Sequence, residues 1–317
     1  MMLVLYGPTV TGKTDLAIKL AQKYNGELIS ADSRQVYKGL DIGTGKVSFV
    51  SRVEKHGEYW IVDGVKIQGF DLVYPGEQFN VADFIKFASS SIVQTIELSK
   101  LPIVVGGTGF YIKSLIEGFG TIGIPANRKL REKLERLSVK ELQIRLSEID
   151  QEKIKVMNKS DRSNPRRLIR AIEVASSHLT TQPNYPTTQN YLLIGLSAPN
   201  EYLYQRADNW LETRLNRGLV KEVDGLIKKG VSSEWLENLG LEYRWMTRCI
   251  QGKISLEEAK KRLQGDIHEF IRRQKTFFNQ FADIKLFDIS KENWLKELEK
   301  TVSTWYNQQD GRIYSSS

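Results

Sequence analysis

With one cysteine, Cys249, in 317 residues, the chain can form no internal disulfide. A lone thiol suits a reducing compartment, and a cytoplasmic protein is expected. The three histidines, His56, His178 and His268, lie far apart and give none of the close ligand spacings of a zinc site. No apolar run approaches the roughly 18–20 residues of a membrane-spanning helix, so no membrane association is expected. No basic-then-apolar leader precedes the first apolar run, Leu3–Tyr6, and no signal peptide is expected. No internal repeat is present, which argues against a solenoid.

What is there is ordinary in bulk, 40% hydrophobic and 26% charged, and long enough for a large core plus a second module. Charge is distributed unevenly. The formal net charge is +8, and +6 of it falls between Thr121 and Asn190, where 14 lysines and arginines meet eight acids. Such a stretch is either a set of solvated helix faces or a surface for an acidic polymer such as nucleic acid, and charge alone does not choose.

One stretch organises the rest: Gly7-Pro8-Thr9-Val10-Thr11-Gly12-Lys13-Thr14. It follows the apolar run Leu3–Tyr6 and leads into Asp15–Ala21, where apolar residues recur at helical spacing. Strand, glycine loop and helix are the context in which this motif means a phosphate-binding P-loop. Its backbone N–H groups converge on an anion at a helix N-terminus. Lys13 adds a point charge, and the Thr14 hydroxyl is placed to hold Mg²⁺. A chance glycine turn before a helix would not carry all four fixed positions with these flanks. The loop binds a diphosphate or polyphosphate, without saying whether phosphate is transferred or leaves.

The strand predicted over 27–31 ends at Asp32-Ser33-Arg34-Gln35, and ligands in open α/β sheets bind at strand carboxyl ends. Asp32 is therefore a candidate functional acid, although Asp before Ser also suits a plain turn. The glycine-punctuated segment 37–46 is expected to lie over the site. A hairpin is predicted over 58–68 around Asp63-Gly64. A helix capped by Asn80 is predicted to about 99, followed by the buried strand 101–105, the glycine turn 106–109 and a helix over 110–116. This alternation predicts an α/β fold with a P-loop NTPase-like parallel sheet.

The pattern then changes to helices over 127–137, 138–147, 150–157 and 164–178, a polar linker over 180–188 and a strand over 191–196. The expected organisation is a P-loop core, 1–120 with 189–317, interrupted by a basic helical insertion, 121–188. Further helices are predicted over 200–216, 218–229, 233–250 and 255–281, with a frayed tail over 308–317. The last helix gathers Ile267, Phe270, Ile271, Gln274, Phe277, Phe278 and Phe281 into a stripe expected to be core packing. Its Arg272, Arg273 and Lys275 are expected to be free for a partner.

Taken together, the motifs resemble the tRNA dimethylallyltransferase (isopentenyltransferase) family. The matching residues are the P-loop, Ser30-x-Asp32-Ser33, Tyr37-Lys38-Gly39-x-Asp41-Ile42-Gly43-Thr44 and Val105-Gly106-Gly107-Thr108-Gly109-x-Tyr111. They continue with Asn164-Pro165-x-Arg167-Leu168-x-Arg170-Ala171-x-Glu173-Val174 and Gly218-Leu219-x-x-Glu222-Val223. The resemblance implies transfer of a prenyl group from dimethylallyl diphosphate to N6 of the adenosine 3′ of the tRNA anticodon, by a monomeric enzyme using Mg²⁺. It implies Thr9, Lys13 and Arg206 at the diphosphate and Asp32 as general base. It further implies Ser33, Arg34, Gln35 and Thr108 along the base channel. Arg131, Arg166, Arg167, Leu168, Ile169, Arg170, Tyr243 and Arg244 are implied against the tRNA anticodon arm.

Two positions depart from the pattern. The family places arginines four apart after the resumed strand; here Arg206 is followed by Trp210, so Arg206 or Arg214 is left to supply the second cation. The family's Gly-Tyr-[Lys/Arg] segment reads Leu241-Glu242-Tyr243-Arg244. The alternatives at this stage are a small-molecule or nucleotide P-loop kinase, prenylation of free adenine nucleotides, and a nucleotide-gated RNA-binding switch. The kinase leaves the basic insertion without a purpose.

Overall fold

The computed structural model describes residues 1–46, 51–57, 59–118, 124–177 and 190–313, the side chains of 309–313 excepted. The chain forms two compact units, Met1–Glu117 with Pro186–Ser317, and Gly118–Tyr185. The predicted linker over 180–188 lies outside the described residues.

The larger unit is built on β1 (Met2–Tyr6), β2 (Gly26–Ser30), β3 (Val53–Lys55), β4 (Tyr59–Val62), β5 (Val65–Gln68), β6 (Leu101–Gly106), β7 (Tyr191–Ser197) and β8 (Lys285–Asp288). They form one sheet in the order β3-β4-β5-β2-β6-β1-β7-β8. All neighbours from β5 to β8 are parallel, while β3, β4 and β5 form an antiparallel edge. The expected P-loop-like parallel core is therefore present. The central β1 is fully buried along its whole length, which is why it reads as an unbroken apolar run rather than an alternating one. The predicted hairpin is β4–β5, turning at Asp63 (φ 50°) and Gly64 (φ 80°), both left-handed as a tight two-residue turn requires.

Helices of this unit are α1 (Lys13–Lys23), α2 (Val81–Glu97), α3 (Gly109–Glu117), α9 (Asn200–Asn216), α10 (Leu219–Lys228), α11 (Ser233–Leu239), α12 (Leu241–Ile250), α13 (Leu256–Thr276) and α14 (Trp294–Ile313). Asn80 starts α2 with a capping box closed by Asp83, satisfying donors that the first turn leaves free. Three expectations are corrected. The single helix over 233–250 is two, α11 and α12, because Gly240 adopts φ 83°, ψ −173° and interrupts the helical path. Residues 277–280 form a 3₁₀ turn rather than the end of α13. The tail is helical through Ile313, within α14, and the short strands β3 and β8 were not expected.

The smaller unit carries α4 (Arg128–Leu134), α5 (Val139–Ile149), α6 (Gln151–Val156), α7 (Lys159–Arg162) and α8 (Pro165–Ala175). The four-residue α7 is additional to the predicted set. Asn127, Ser138, Asp150, Asn158 and Asn164 each cap one of these helices, so polar residues set the boundaries. Leu134, Leu142, Leu146, Leu168 and Ile172 are buried together, each burial contributing on the order of 1.5–3 kcal/mol. Beside this core lies the buried carboxylate of Glu173. It accepts the Asn127 N–H at 2.9 Å and both Arg131 Nε and Nη2 at 2.8 Å. Burial alone would raise its pKa, but the Arg131 and Asn127 hydrogen bonds outweigh that and hold it below the usual carboxylate range.

Candidate active site

The P-loop emerges where β1 runs out between β6 and β7. Gly12 caps α1 in the left-handed region (φ 78°), and Val10 shares that region at φ 62°, a costly geometry for a β-branched residue. Thr11 Oγ1 and Lys13 Nζ both donate to the Pro8 carbonyl, at 2.9 and 2.6 Å, and Arg206 Nε donates to the Val10 carbonyl at 2.9 Å. The loop is thus held by its own side chains and by one arginine of α9.

The loop opens into a cavity of about 490 Å³. Thr9, Val10, Gly12, Lys13 and Thr14 line one side, and Asp32, Arg34 and Gln35, beyond the end of β2, line another. Gly43, Thr44 and Gly45 form a third side, and Arg206, Trp210 and Arg214 of α9 a fourth. Ile67, Phe70, Val105, Leu211, Ile267 and Phe270 supply apolar wall. Burial lowers the Lys13 pKa from the ordinary 10.5 to about 8, against the opposing attraction of Asp32.

Asp32 Oδ1 accepts the Arg34 N–H at 2.9 Å, and Oδ2 has no hydrogen-bond partner among the described residues. Gln35 Oε1 accepts from Ser30 Oγ at 2.8 Å, and its amide donates to the carbonyls of Thr44 and Gly45, both at 3.3 Å. Thr108 Oγ1 accepts the Ser33 N–H at 3.0 Å, and neither of these residues lines the cavity. The expected cover is present. The loop at 41–43 turns three backbone N–H groups onto the carboxylate of Glu222, at 2.6 to 3.0 Å, and Tyr243 Oη donates to the same carboxylate at 2.9 Å.

Several sequence expectations need correction here. Tyr243 is fully buried under the cover loop and presents no surface to an RNA. Leu168 and Ile169 pack in the core of the smaller unit, so their side chains cannot face a tRNA either. In that unit Arg131 and Arg170 pair with Glu173, and Arg167 with Asp161, whereas Arg166 is exposed with no ion pair among the described residues. Arg244 is held by Glu237 and Asp266 and does not line the cavity. The basic face of α13 is not free: Lys275 donates to Ala198 O and Asn200, Arg272 to Tyr204, and Arg273 pairs with Glu269.

Sequence reasoning missed Gln274. It reads as one member of an apolar stripe, yet its side chain bridges the two glycine turns of the site. Oε1 accepts the Thr9 N–H at 2.9 Å, and Nε2 donates to Gly107 O at 2.8 Å. A lone glutamine in that stripe was the available signal. Gln274→Leu keeps the volume and removes both bonds, so the Thr9 N–H and the Gly107 carbonyl lose their partners. We expect a loss of about 1–3 kcal/mol in denaturant unfolding and weaker diphosphate binding. Wild-type stability with wild-type affinity would show that the bridge is dispensable.

Mg²⁺ commonly keeps several waters and takes only one or two protein oxygens beside phosphate. Thr14, at the start of α1 and lining the cavity, offers one hydroxyl oxygen, which fits that demand. Among the described residues no cluster of three or more histidine, cysteine or acidic side chains could hold a metal alone. No helix among them is long and apolar enough to cross a membrane.

Comparisons with known proteins bear on the family of the chain. A family model described as IPP transferase matches residues 35–281. The tRNA dimethylallyltransferase 1 of Geotalea daltonii is 37% identical over 88% of this chain and 86% of its own length. The tRNA dimethylallyltransferase of Acetivibrio thermocellus is 37% identical over 96% of this chain and 98% of its own. The crystal structure of the full-length tRNA isopentenylpyrophosphate transferase of Bacillus halodurans superposes with a TM-score of 0.70 at 30% identity, covering 99% of both chains. On the family match and this full-length similarity, the chain belongs to the IPP transferase family.

Proposed function

We propose that this protein is a tRNA prenyltransferase that moves a dimethylallyl group from dimethylallyl diphosphate to N6 of the adenosine 3′ of the anticodon, releasing diphosphate. One observation carries the reading: a phosphate cradle and an acceptor carboxylate, Lys13 and Asp32, line the same cavity as a patch of apolar wall. The cradle suits a diphosphate, and the apolar wall suits a five-carbon allylic tail better than the polar acceptor of a small-molecule kinase.

Breaking the allylic C–O bond leaves charge on the diphosphate. The P-loop N–H groups and Lys13 would receive it, and Thr9 would hydrogen-bond a bridging oxygen. A magnesium ion bound through Thr14 would add Lewis-acid stabilisation of the leaving group. The adenine N6 lone pair is delocalised into the ring, which makes the amine a weak nucleophile and too weak an acid for an aspartate to deprotonate beforehand. Asp32, through its unpartnered Oδ2, therefore takes the N6 proton as the C–N bond forms. Electrons flow from N6 to the allylic carbon and from the breaking bond to the diphosphate.

A base must leave the anticodon stack to reach a carboxylate at a strand end, so the adenosine is flipped. Arg34 and Gln35 line the cavity beside Asp32 and would contact the flipped base. The basic insertion would hold the anticodon arm through phosphate contacts, with exposed Arg128, Lys129, Lys133, Arg136 and Arg166 as the available cations. The protein is further proposed to act as a cytoplasmic monomer.

The test is nucleoside mass spectrometry of unmodified tRNA incubated with the protein, Mg²⁺ and dimethylallyl diphosphate. N6-dimethylallyladenosine at the position 3′ of the anticodon is expected. Product on AMP but none on tRNA would assign the chemistry to free nucleotides, and no product with either would remove the reading.

A further inference from the structure

Beyond the P-loop, the cavity contains a buried charge cluster of which the reaction as described uses only Arg34. Glu242, where the family pattern has glycine, points its carboxylate between two arginines. Arg214 Nη1 donates to its Oε1 at 2.5 Å and Arg34 Nη1 to its Oε2 at 3.2 Å. The side chains of Arg214 and Glu242 are 6% and 5% exposed, and all three residues line the cavity. Two guanidinium groups share the Glu242 carboxylate in a poorly solvated place. Two guanidinium groups carry more donors than one carboxylate can take, and an anionic ligand accepts from the remainder.

The arginine is also held in one orientation. Its Nη1 donates a second bond to Gly43 O at 3.0 Å, and its plane lies over the Trp210 ring, 5.2 Å from the centroid. Nη2 lies so close to Gly45 that a Cβ there would approach it to 2.6 Å; with φ at +60°, two constraints keep that position glycine. The remaining edge is different. Nε of Arg214 is buried and has no hydrogen-bond partner. A fixed, planar, permanently charged group with an unfilled donor, set in the wall of a phosphate cavity, suits an oxyanion.

We propose that Arg214, oriented by Glu242, is a diphosphate-binding residue of this enzyme and supplies the cation that the Trp210 position lacks. Trp210 and Arg214 are four apart on α9, hence on one face, and both line the cavity. Trp210 thus serves as the platform for the displaced arginine, and Glu242 as a positioning residue that fixes the guanidinium through Nη1. The proposal rests on the assignment of this cavity to a diphosphate donor.

Titration calorimetry of the purified full chain with inorganic diphosphate and Mg²⁺ tests it separately from product formation. Arg214→Gln should weaken diphosphate binding about 10- to 100-fold, the usual weight of a charge-assisted hydrogen bond. Adding Trp210→Arg to that variant, which returns a cation one turn earlier on the same face, should recover most of the loss. Glu242→Gln, which keeps shape but releases the guanidinium, should raise the KM for dimethylallyl diphosphate more than it lowers kcat. If Arg214→Gln does not fold, Arg214→Gln/Glu242→Gln removes one cation and one anion together and takes its place. Wild-type diphosphate affinity in whichever of these folds overturns the proposal. A wild-type protein that binds diphosphate but modifies no tRNA would instead fail the functional reading and leave this one standing.

Discussion

An Asp32→Asn enzyme is expected to bind its donor normally at pH 7 and to lose about 10²- to 10⁴-fold in kcat, the range in which a positioned general base contributes. Asparagine is the informative replacement because its Oδ1 can still accept the Arg34 N–H that Asp32 accepts at 2.9 Å. The turn at 32–35, and with it Arg34 and Gln35 on the cavity wall, is therefore preserved. Donor affinity should not fall, since removing a carboxylate from a cavity that receives a diphosphate relieves repulsion. A second signature comes from Lys13, whose pKa Asp32 raises by attraction. Without that charge the lysine loses its proton at lower pH, and the alkaline limb of donor binding should shift to lower pH. Single-turnover kinetics on tRNA and calorimetry with diphosphate give both readouts. A kcat within tenfold of wild type would remove Asp32 from the chemistry.

Much of this architecture was legible because its signals are local. A fully buried β1 must be an unbroken apolar run, and Gly12-Lys13-Thr14 must follow it closely if the loop is to cap α1. Asn80 with Asp83, and the five polar caps of the smaller unit, mark helix starts by hydrogen bonds made within three residues. What the sequence hid depends on contacts between residues far apart. Gln274 looks like one more member of a core stripe until the fold brings it to Thr9 and Gly107, 265 and 167 residues away. Tyr243 resembles a contact residue in its motif, yet its hydroxyl is committed to Glu222 beneath the cover loop. The break between α11 and α12 rests on the backbone angles of one glycine, and a helical pattern on both sides masks it. β8 is four residues long, pairs only with β7 and is half exposed, too short and too polar for a periodic signal. Glu242 is the instructive case. In the sequence it is only a departure from a motif, whereas in the fold it is the acid that two cavity arginines share.

Donor binding should depend strongly on Lys13, and it should do so with pH in a defined direction. Burial brings its pKa down to about 8, so in the free enzyme the ammonium is the main form at neutral pH but not far above it. In the complex the diphosphate charge stabilises the ammonium, so the bound lysine stays protonated over a wider range. Binding below pH 8 is therefore neutral in protons, and binding above it must take one up. The Kd for dimethylallyl diphosphate should be flat up to about pH 8 and then rise about tenfold per pH unit, since one proton is linked to one ligand. Lys13→Arg keeps its charge throughout, so its profile should lack this limb even if altered geometry makes its Kd weaker overall. Lys13→Ala should bind about 10- to 100-fold more weakly at pH 7 and should also lose the limb. Because the lysine meets charge that grows as the C–O bond breaks, its removal should cost a further 10²–10³-fold or so in kcat. The deciding comparison is the wild-type and Lys13→Arg Kd profiles between pH 7 and 9.5: if both rise alike, the titrating group is not Lys13, and the low pKa that the cavity imposes has no part in capturing the donor.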